Sequence, residues 1–501
     1  MHRTVWFVGL LMLIVCFTAG VLMSRTQFNL NEDVDETSPP SESSTQTGVL
    51  GQHAEQANAP AVAAEHVEPT RNKPDIWSSI PGYSKDEVVL HDNMPPQVHF
   101  DLDNAFQDDE GVYQVDLPGG YRAHLTLDPT VQEELESVYR RYEVPHAGFA
   151  AIEPRTGRVL ALVSHESASD SKGTVAVQSF APSASLFKVI TAAALIEDEG
   201  LRPGSQVCYI GETSKLPADL QIKSTTGRDR QCTTFAQAFG ESNNPVFANL
   251  SYKNLNSNKL GIWAARFGYN EAIPFQIPIQ PSTSRIPDEP VEMARAAAGF
   301  WHTHLSTIHA ALIMSAIGNG GVMMRPNIIE KLYNRDGELV YDFNATPYKR
   351  IMKEETARHL STMMVHTTSV GTGRKYFHNA DGLPEDGFTT GGKTGTLSDN
   401  SPYLMYSWFA GLAPMEGPQF AFAALVCNPM KWRIKGSYAA LEGLRALVSS
   451  KNAAEPPETD SSDEGNPDIG NEAEETDNPT EGLEIEKHHI IKPDPEAQDD
   501  E

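Results

Sequence analysis

The chain has 501 residues, 40% of them hydrophobic, and a formal net charge of −28, which is long for one ordinary domain but apolar enough for a sizeable core. Residues 451–501 hold 18 Asp/Glu against 3 Lys, a net of −15, so about half the excess charge sits in the last tenth of the chain. No basic stripe is left to neutralise phosphates, which argues against nucleic acid as a partner.

Residues 4–23, TVWFVGLLMLIVCFTAGVLM, form a run of twenty without a charge, the length a helix needs to cross a bilayer. Arg3 precedes it and Arg25 follows, with acidic residues from Glu32 onward. That pattern favours the N-terminus inside and the bulk of the chain outside. The run is long for a signal peptide and no small-x-small site follows it, so an uncleaved anchor over residues 1–25 is expected. Residues 26–109 are expected to be a largely disordered acidic, Ser- and Pro-rich linker, most plainly over 26–75.

From about 110 the pattern is that of a folded domain. VYQVDL-PGG-YRAHLTL (112–127) reads as a hairpin turning at Gly119 and Gly120. Asp128-Pro129 opens a helix, VQEELESVYRRY. AGFAAIEPRTGRVLALV (147–163) reads as two strands with a turn at Pro154 to Gly157. Helical patterns dominate from 183 to about 320, and strand patterns return at 388–396, 406–413 and 419–427. Two strands near the front and three at the back predict a sheet that joins distant chain segments. The domain is taken as 110–450, followed by a disordered acidic tail, 451–501.

Of four cysteines, Cys16 lies in the apolar N-terminal run and Cys427 in the strand-like AFAALVC. Cys208 and Cys232 flank a polar stretch, and an oxidising compartment would let them pair. Two unpaired thiols are the alternative, because spacing alone does not supply the geometry of a bridge.

Three short motifs carry chemistry. Ser-x-x-Lys occurs twice, at Ser169–Lys172 and Ser185–Lys188. Ser169 lies in polar sequence without helical periodicity, whereas Ser185 is followed by the apolar helix LFKVITAAALIEDEG, with Gly200 and Pro203 just beyond. Positions i and i+3 share a helix face, so Lys188 stands beside the Ser185 hydroxyl. The helix dipole and desolvation favour a neutral lysine able to take the serine's proton; a capping serine followed by a solvated lysine is the alternative. Lys393-Thr394-Gly395-Thr396 ends a glycine-rich strand, FTTGGKTGT. Glycines weaken a strand unless something approaches its backbone closely, and a substrate lying alongside as an extra strand is such a reason. Ser-x-Asn occurs at Ser242–Asn244, Ser398–Asn400 and Ser450–Asn452. Ser398 falls in an apparent turn close after the glycine-rich strand and Ser450 at the start of the tail. Ser242 lies in a short connection between two helical runs, where side chains can face a cleft.

Ser185, Ser242 and Lys393 thus stand in the order Ser-x-x-Lys, Ser-x-Asn, Lys-Thr-Gly, a signature set of penicillin-binding proteins and class A β-lactamases. Over roughly 120–445 the chain resembles the penicillin-binding protein transpeptidase domain, also through LTLDPTVQEEL, AAIEPRTGRVLALV, GNGGVMMRP, SVGTG and SWFAGLAP. The resemblance implies an α+β fold, a mostly antiparallel central sheet flanked by helices with an all-helical subdomain. It implies acylation of the serine by peptidoglycan stem peptides ending in D-Ala-D-Ala, and cross-linking of the acyl group to an amine. Carried over, Ser185 is the nucleophile, Lys188 the general base and Ser242 a proton relay. Asn244 holds the substrate amide, Lys393, Thr394 and Thr396 bind the terminal carboxylate, and Gly395 belongs to the same substrate-binding strand. The N–H groups of Ser185 and Thr396 form the oxyanion hole.

No cofactor or metal is implied; His302, His304 and His309 have no common metal spacing and read as solvated or core histidines. Implied partners are stem peptides, β-lactams as covalent inhibitors, wall-synthesis proteins and the inner membrane of a bacterium, with the catalytic domain on its outer side. About 105 residues separate the apolar run from the helix at 130, much of that expected to be disordered, so a glycosyltransferase domain is not expected. The rival readings are a D,D-carboxypeptidase, a serine β-lactamase, and a non-catalytic sensor or scaffold that binds β-lactams or wall fragments.

Overall fold

The computed structural model describes residues 80–167, 174–400 and 403–454. The apolar run at 4–23, the spacer up to 79, Ser169 and the tail from 455 lie outside the described residues. Among the described residues no helix is long and apolar enough to cross a membrane.

The elements that frame the fold are the helix α1 (Pro129–Arg141), the strands β1 (His146–Ile152) and β2 (Val159–Glu166), and the helices α2 (Lys188–Glu197), α3 (Phe235–Gly240), α4 (Asn244–Asn254), α5 (Thr307–Gly318) and α6 (Glu354–Ser369). They are followed by the strands β3 (Gly391–Asn400), β4 (Tyr403–Ala413) and β5 (Phe420–Asn428) and the helix α7 (Gly436–Ala454). The five strands form one sheet in the order β3-β4-β5-β1-β2, every neighbouring pair antiparallel. The sheet therefore joins the front and back of the chain, as the strand pattern predicts.

Side chains alternate across a strand, and here both faces are covered. Ala150, Ala410, Leu412, Ala423 and Leu425 point into one core, shared with α2 and α5. Phe149, Ala151, Phe409, Phe422 and Ala424 point into the other, closed by α1 and α7. That is why FAFAALVC is apolar at every position instead of at alternate ones. Helix α5 is buried along nearly its whole length, the mark of a helix inside a core. Helix α1 starts where sequence places it: the Asp128 carboxylate accepts from the Val131 N–H at 3.2 Å, and Pro129 takes the first position,.

The hairpin at 112–127 forms as Tyr113–Leu117 and Tyr121–Leu125, and belongs to a second antiparallel sheet that includes Ile329–Tyr333. Three expectations are corrected. The fold begins before 110: Val98, Phe100 and Leu102 are core residues, and Phe106–Gln107 already pairs with Tyr113–Gln114. Folded structure also passes 450, since α7 runs to Ala454. The helical region is not all-helical. It carries a small antiparallel ladder, Gln206–Tyr209 against Gln231–Thr234, in which Cys208 faces Cys232 and forms a disulfide.

Candidate active site

Ser185 lies in a 3-10 turn, Ala184–Phe187, that runs directly into α2. In a 3-10 turn residues i and i+3 eclipse, so Lys188 comes under Ser185 more squarely than α-helical spacing would bring it. Its Nζ is 2.9 Å from Ser185 Oγ. The lysine is completely buried, which disposes of the solvated-lysine alternative. Nζ also donates to Asn244 Oδ1 at 2.7 Å and to the Ala298 carbonyl. Burial, and then the charge of Lys393, hold the Lys188 amine well below the ordinary lysine range,.

Asn244 opens α4, and its side chain is fully engaged. Nδ2 donates to the Ser214 carbonyl at 2.9 Å and the Lys215 carbonyl at 3.2 Å, while its backbone N–H donates to the Thr213 carbonyl at 2.8 Å. Two carbonyls on Nδ2 fix the amide's orientation, so Oδ1 faces Lys188 as an acceptor. The expected hydrogen bond to a substrate amide therefore requires one of those carbonyls to give way.

Lys393, on β3, is the second fully buried lysine. Its Nζ donates to Ser242 Oγ and to the Thr394 carbonyl, both at 2.9 Å. Burial brings its amine down to about 7. Ser242 connects α3 to α4 with φ +57°, and Ala184, just before the serine, has φ +48°. Left-handed backbone at non-glycine residues is strained, and here it occurs beside two of the three motifs.

A cleft of about 330 Å³ opens over these groups, lined among others by Ser185, Ser242, Asn244, Thr394, Thr396 and Trp408. At Gly395 a Cβ would lie 3.2 Å from the Trp408 Cβ and 3.4 Å from that of Ala184, so the bare backbone avoids a tight contact with β4 where the strand passes the serine's turn. Gly391 and Gly392 have an internal reason besides the expected approach of a substrate. A Cβ would strike Met415 at 2.5 Å at the first and Phe409 at 2.4 Å at the second. Ser398 lies inside β3, opposite Met405, and not in a turn.

Four contributors escape the sequence reading. Thr372 Oγ1 meets Thr394 Oγ1 at 2.5 Å, and its N–H donates to the Gly240 carbonyl; the glycines on either side of it in SVGTG were the available signal. Gly299, with φ +94°, allows its backbone to pass within van der Waals range of Ala184 and Ser185. Ser214 and Lys215 act through main-chain carbonyls, which leave no trace in residue type. His309 is a core residue: its ring nitrogens meet Ser282 Oγ at 2.7 Å and the Phe267 carbonyl at 2.8 Å.

The family described as "Penicillin binding protein transpeptidase domain" matches residues 147–444. The peptidoglycan D,D-transpeptidase PbpA of Mycolicibacterium smegmatis is 25% identical over 341 residues, covering 62% of this chain and 68% of that protein. Among solved structures, the D,D-transpeptidase domain of a peptidoglycan glycosyltransferase from Eggerthella lenta superposes with TM-score 0.56 at 22% identity, covering 73% of this chain and 95% of that one. The imipenem acyl-enzyme complex of penicillin-binding protein A from M. tuberculosis does so with TM-score 0.55 at 23% identity, covering 66% and 80%. These structures share the α+β architecture described above.

Proposed function

The chain belongs to the penicillin-binding protein transpeptidase family, and from that premise we propose that it is a serine-type peptidoglycan D,D-transpeptidase. In this reading stem peptides ending in D-Ala-D-Ala acylate Ser185. The observation that carries it is the surrounding of Lys188 Nζ. A neutral amine has two hydrogens and one lone pair. Asn244 Oδ1 and the Ala298 carbonyl take the two hydrogens, and the lone pair is left facing the Ser185 hydroxyl 2.9 Å away. The serine O–H then donates to nitrogen, and Lys188 serves as the general base.

Ser185 Oγ attacks the carbonyl carbon of the penultimate D-Ala as its proton passes to Lys188. The C–N bond breaks, and the departing D-Ala nitrogen takes a proton through Ser242, whose hydroxyl touches Lys393. An acceptor amine then attacks the ester carbonyl, gives its proton back along the same route and frees Ser185. Thr394, Thr396 and Lys393 hold the terminal carboxylate, Gly395 spares their strand a tight contact with β4 beside the serine's turn, and the Ser185 and Thr396 N–H groups receive the oxyanion. Asn244 holds Lys188 in register. Penicillins and related β-lactams follow the first half of this path and stop at the acyl-enzyme, the state of the imipenem complex of penicillin-binding protein A from M. tuberculosis. We also infer that the run at 4–23 tethers the domain outside the cytoplasmic membrane of a bacterium.

The test is product analysis with a D-Ala-D-Ala peptide, with and without an acceptor amine. Release of one D-Ala with a new amide in the presence of acceptor is expected. Release only to water would make it a carboxypeptidase, and no release with rapid penicillin turnover would make it a β-lactamase.

A further inference from the structure

We propose that the Cys208–Cys232 bridge is a thiol–disulfide exchange site, attacked at Cys232 by a dithiol reductant, and that opening it slows acylation of Ser185. The exchange stands on the bridge alone, and its effect on acylation rests on the transpeptidase reading.

Access and charge single out one sulfur. Cys232 is exposed and Cys208 half-buried, on a two-stranded ladder that belongs to no larger sheet. Two strands by themselves are marginal in water, and exposed disulfides are the labile ones. Arg230 Nη2 donates to Cys208 Sγ at 2.9 Å, so a cation sits beside the less accessible sulfur. A neighbouring cation favours the thiolate, and the sulfur better held as thiolate is the better leaving group. An incoming thiolate therefore attacks Cys232 Sγ, the S–S bond breaks, and its electron pair departs on Cys208 beside the guanidinium. The reductant's second thiol then attacks the reductant sulfur of the mixed disulfide and releases Cys232. Two electrons and two protons have passed from the dithiol to the bridge, leaving two cysteine thiols and one oxidised reductant. Cys427 is buried and stands in for neither partner.

The loop between the cysteines reaches the catalytic lysine. Thr213, Ser214 and Lys215 offer their carbonyls to Asn244 at 2.8 to 3.2 Å, and Asn244 Oδ1 holds Lys188 Nζ at 2.7 Å. The strand entering the loop is tied to the core by Val207 and Tyr209. The returning strand, Gln231–Thr234, has no buried residue. It is held by the ladder, the bridge and the Tyr209 hydroxyl, which donates to Gln231 Oε1 at 3.0 Å. Asp229 and Gln231 line one cavity of about 560 Å³ with Thr213, Ser214 and Lys215. Opening the bridge frees this returning wall, so the cavity spreads and the three carbonyls lose their fixed geometry around Asn244. The Asn244 amide then loosens its hold on Lys188. The loop stays folded onto the domain through the buried Ile222, whose carbonyl accepts from Asn249 Nδ2 at 2.6 Å.

The test treats the full chain in detergent with glutathione, caps the freed thiol at once with N-ethylmaleimide, and weighs the two cysteine peptides. Glutathione on Cys232 and maleimide on Cys208 are expected; the reverse pattern, or no adduct, would overturn the site. Arg230→Gln should slow opening by about threefold and spread glutathione over both sulfurs, and an unchanged rate and pattern would remove Arg230 from the exchange. Protein reduced with dithiothreitol should take fluorescent penicillin about tenfold more slowly, the worth of one hydrogen bond at Lys188. Its rate should return on reoxidation, and should match that of Cys208→Ser/Cys232→Ser, which ignores dithiothreitol. Equal labelling of the oxidised and reduced chains would overturn the link to Ser185. Exchange is read by mass alone, which keeps the two readings apart: a chain that exchanges at Cys232 but takes no label in either state loses the transpeptidase reading and keeps the exchange site.

Discussion

Two buried lysines share one neighbourhood, and their titration decides what each can do. Lys188 must be neutral to accept a proton, whereas Lys393 is of most use to a carboxylate while charged. Acylation should therefore follow a bell in pH. The acid limb is set by Lys188, and the alkaline limb falls as pH rises through the Lys393 value of about 7,. Lys393→Met should abolish the alkaline limb along with most of the rate. The same residue makes a stability prediction. Between about 7 in the folded chain and the ordinary lysine value when unfolded, the unfolded state binds more protons, so stability rises with pH across that window. Below it both states are protonated and the penalty of burial is complete. Melting temperatures from pH 7 to 10 should climb more steeply for the wild type than for Lys393→Met; parallel curves would show that Lys393 is not buried as a poised amine. Thr372→Val removes one hydroxyl from Thr394 and should lower kcat/KM by about tenfold, chiefly through KM. Ser185 and Lys188 were legible because the spacing of three and the apolar helix after them are written in residue types. The engagement of Asn244 was not, because its partners are main-chain carbonyls about thirty residues away.

At the scale of elements, close approach governs the site. The segment at Gly299 passes so near the serine's turn that a Cβ would lie 2.4 Å from the Ala184 carbonyl oxygen, on a backbone with φ +94°. Gly299→Ala should therefore destabilise the protein by about 2–4 kcal/mol and depress acylation beyond its effect on stability; unchanged urea midpoints and rates would contradict this packing. The Cys208–Cys232 bridge closes a loop of 24 residues' separation that includes the Ser214 and Lys215 carbonyls. Its removal should lower stability by up to about 3 kcal/mol, read as a shift in urea midpoint between Cys208→Ser/Cys232→Ser and the wild type. The sequence left pairing open because only the ladder, Gln206–Tyr209 on Gln231–Thr234, brings the two cysteines face to face. The strands themselves were readable from alternation and turn residues. The reason for the glycines in GGKTGT was not, since Phe409 and Met415 reach Gly392 and Gly391 from elsewhere in the chain.

For the whole molecule, one sheet with a core on each face organises everything else. Its mixed origin was visible as two strand patterns early and three late. What escaped the sequence reading was the start of the fold: Val98, Phe100 and Leu102 are buried and alternate with His99, Asp101 and Asp103, but the alternation is one short stretch directly after Pro95-Pro96. A chain beginning at 110 should be less stable than one beginning at 80 by about 5 kcal/mol, at roughly 1.5–3 kcal/mol per buried large side chain; equal denaturation midpoints would show that this segment is dispensable. Acylation of Ser185 underlies every other inference, and intact-protein mass spectrometry after incubation with penicillin tests it most directly. The wild type should gain the mass of one penicillin, mapped by peptide digestion to Ser185, and Ser185→Ala should gain none. A wild type without added mass, or a label on another residue, would contradict the account.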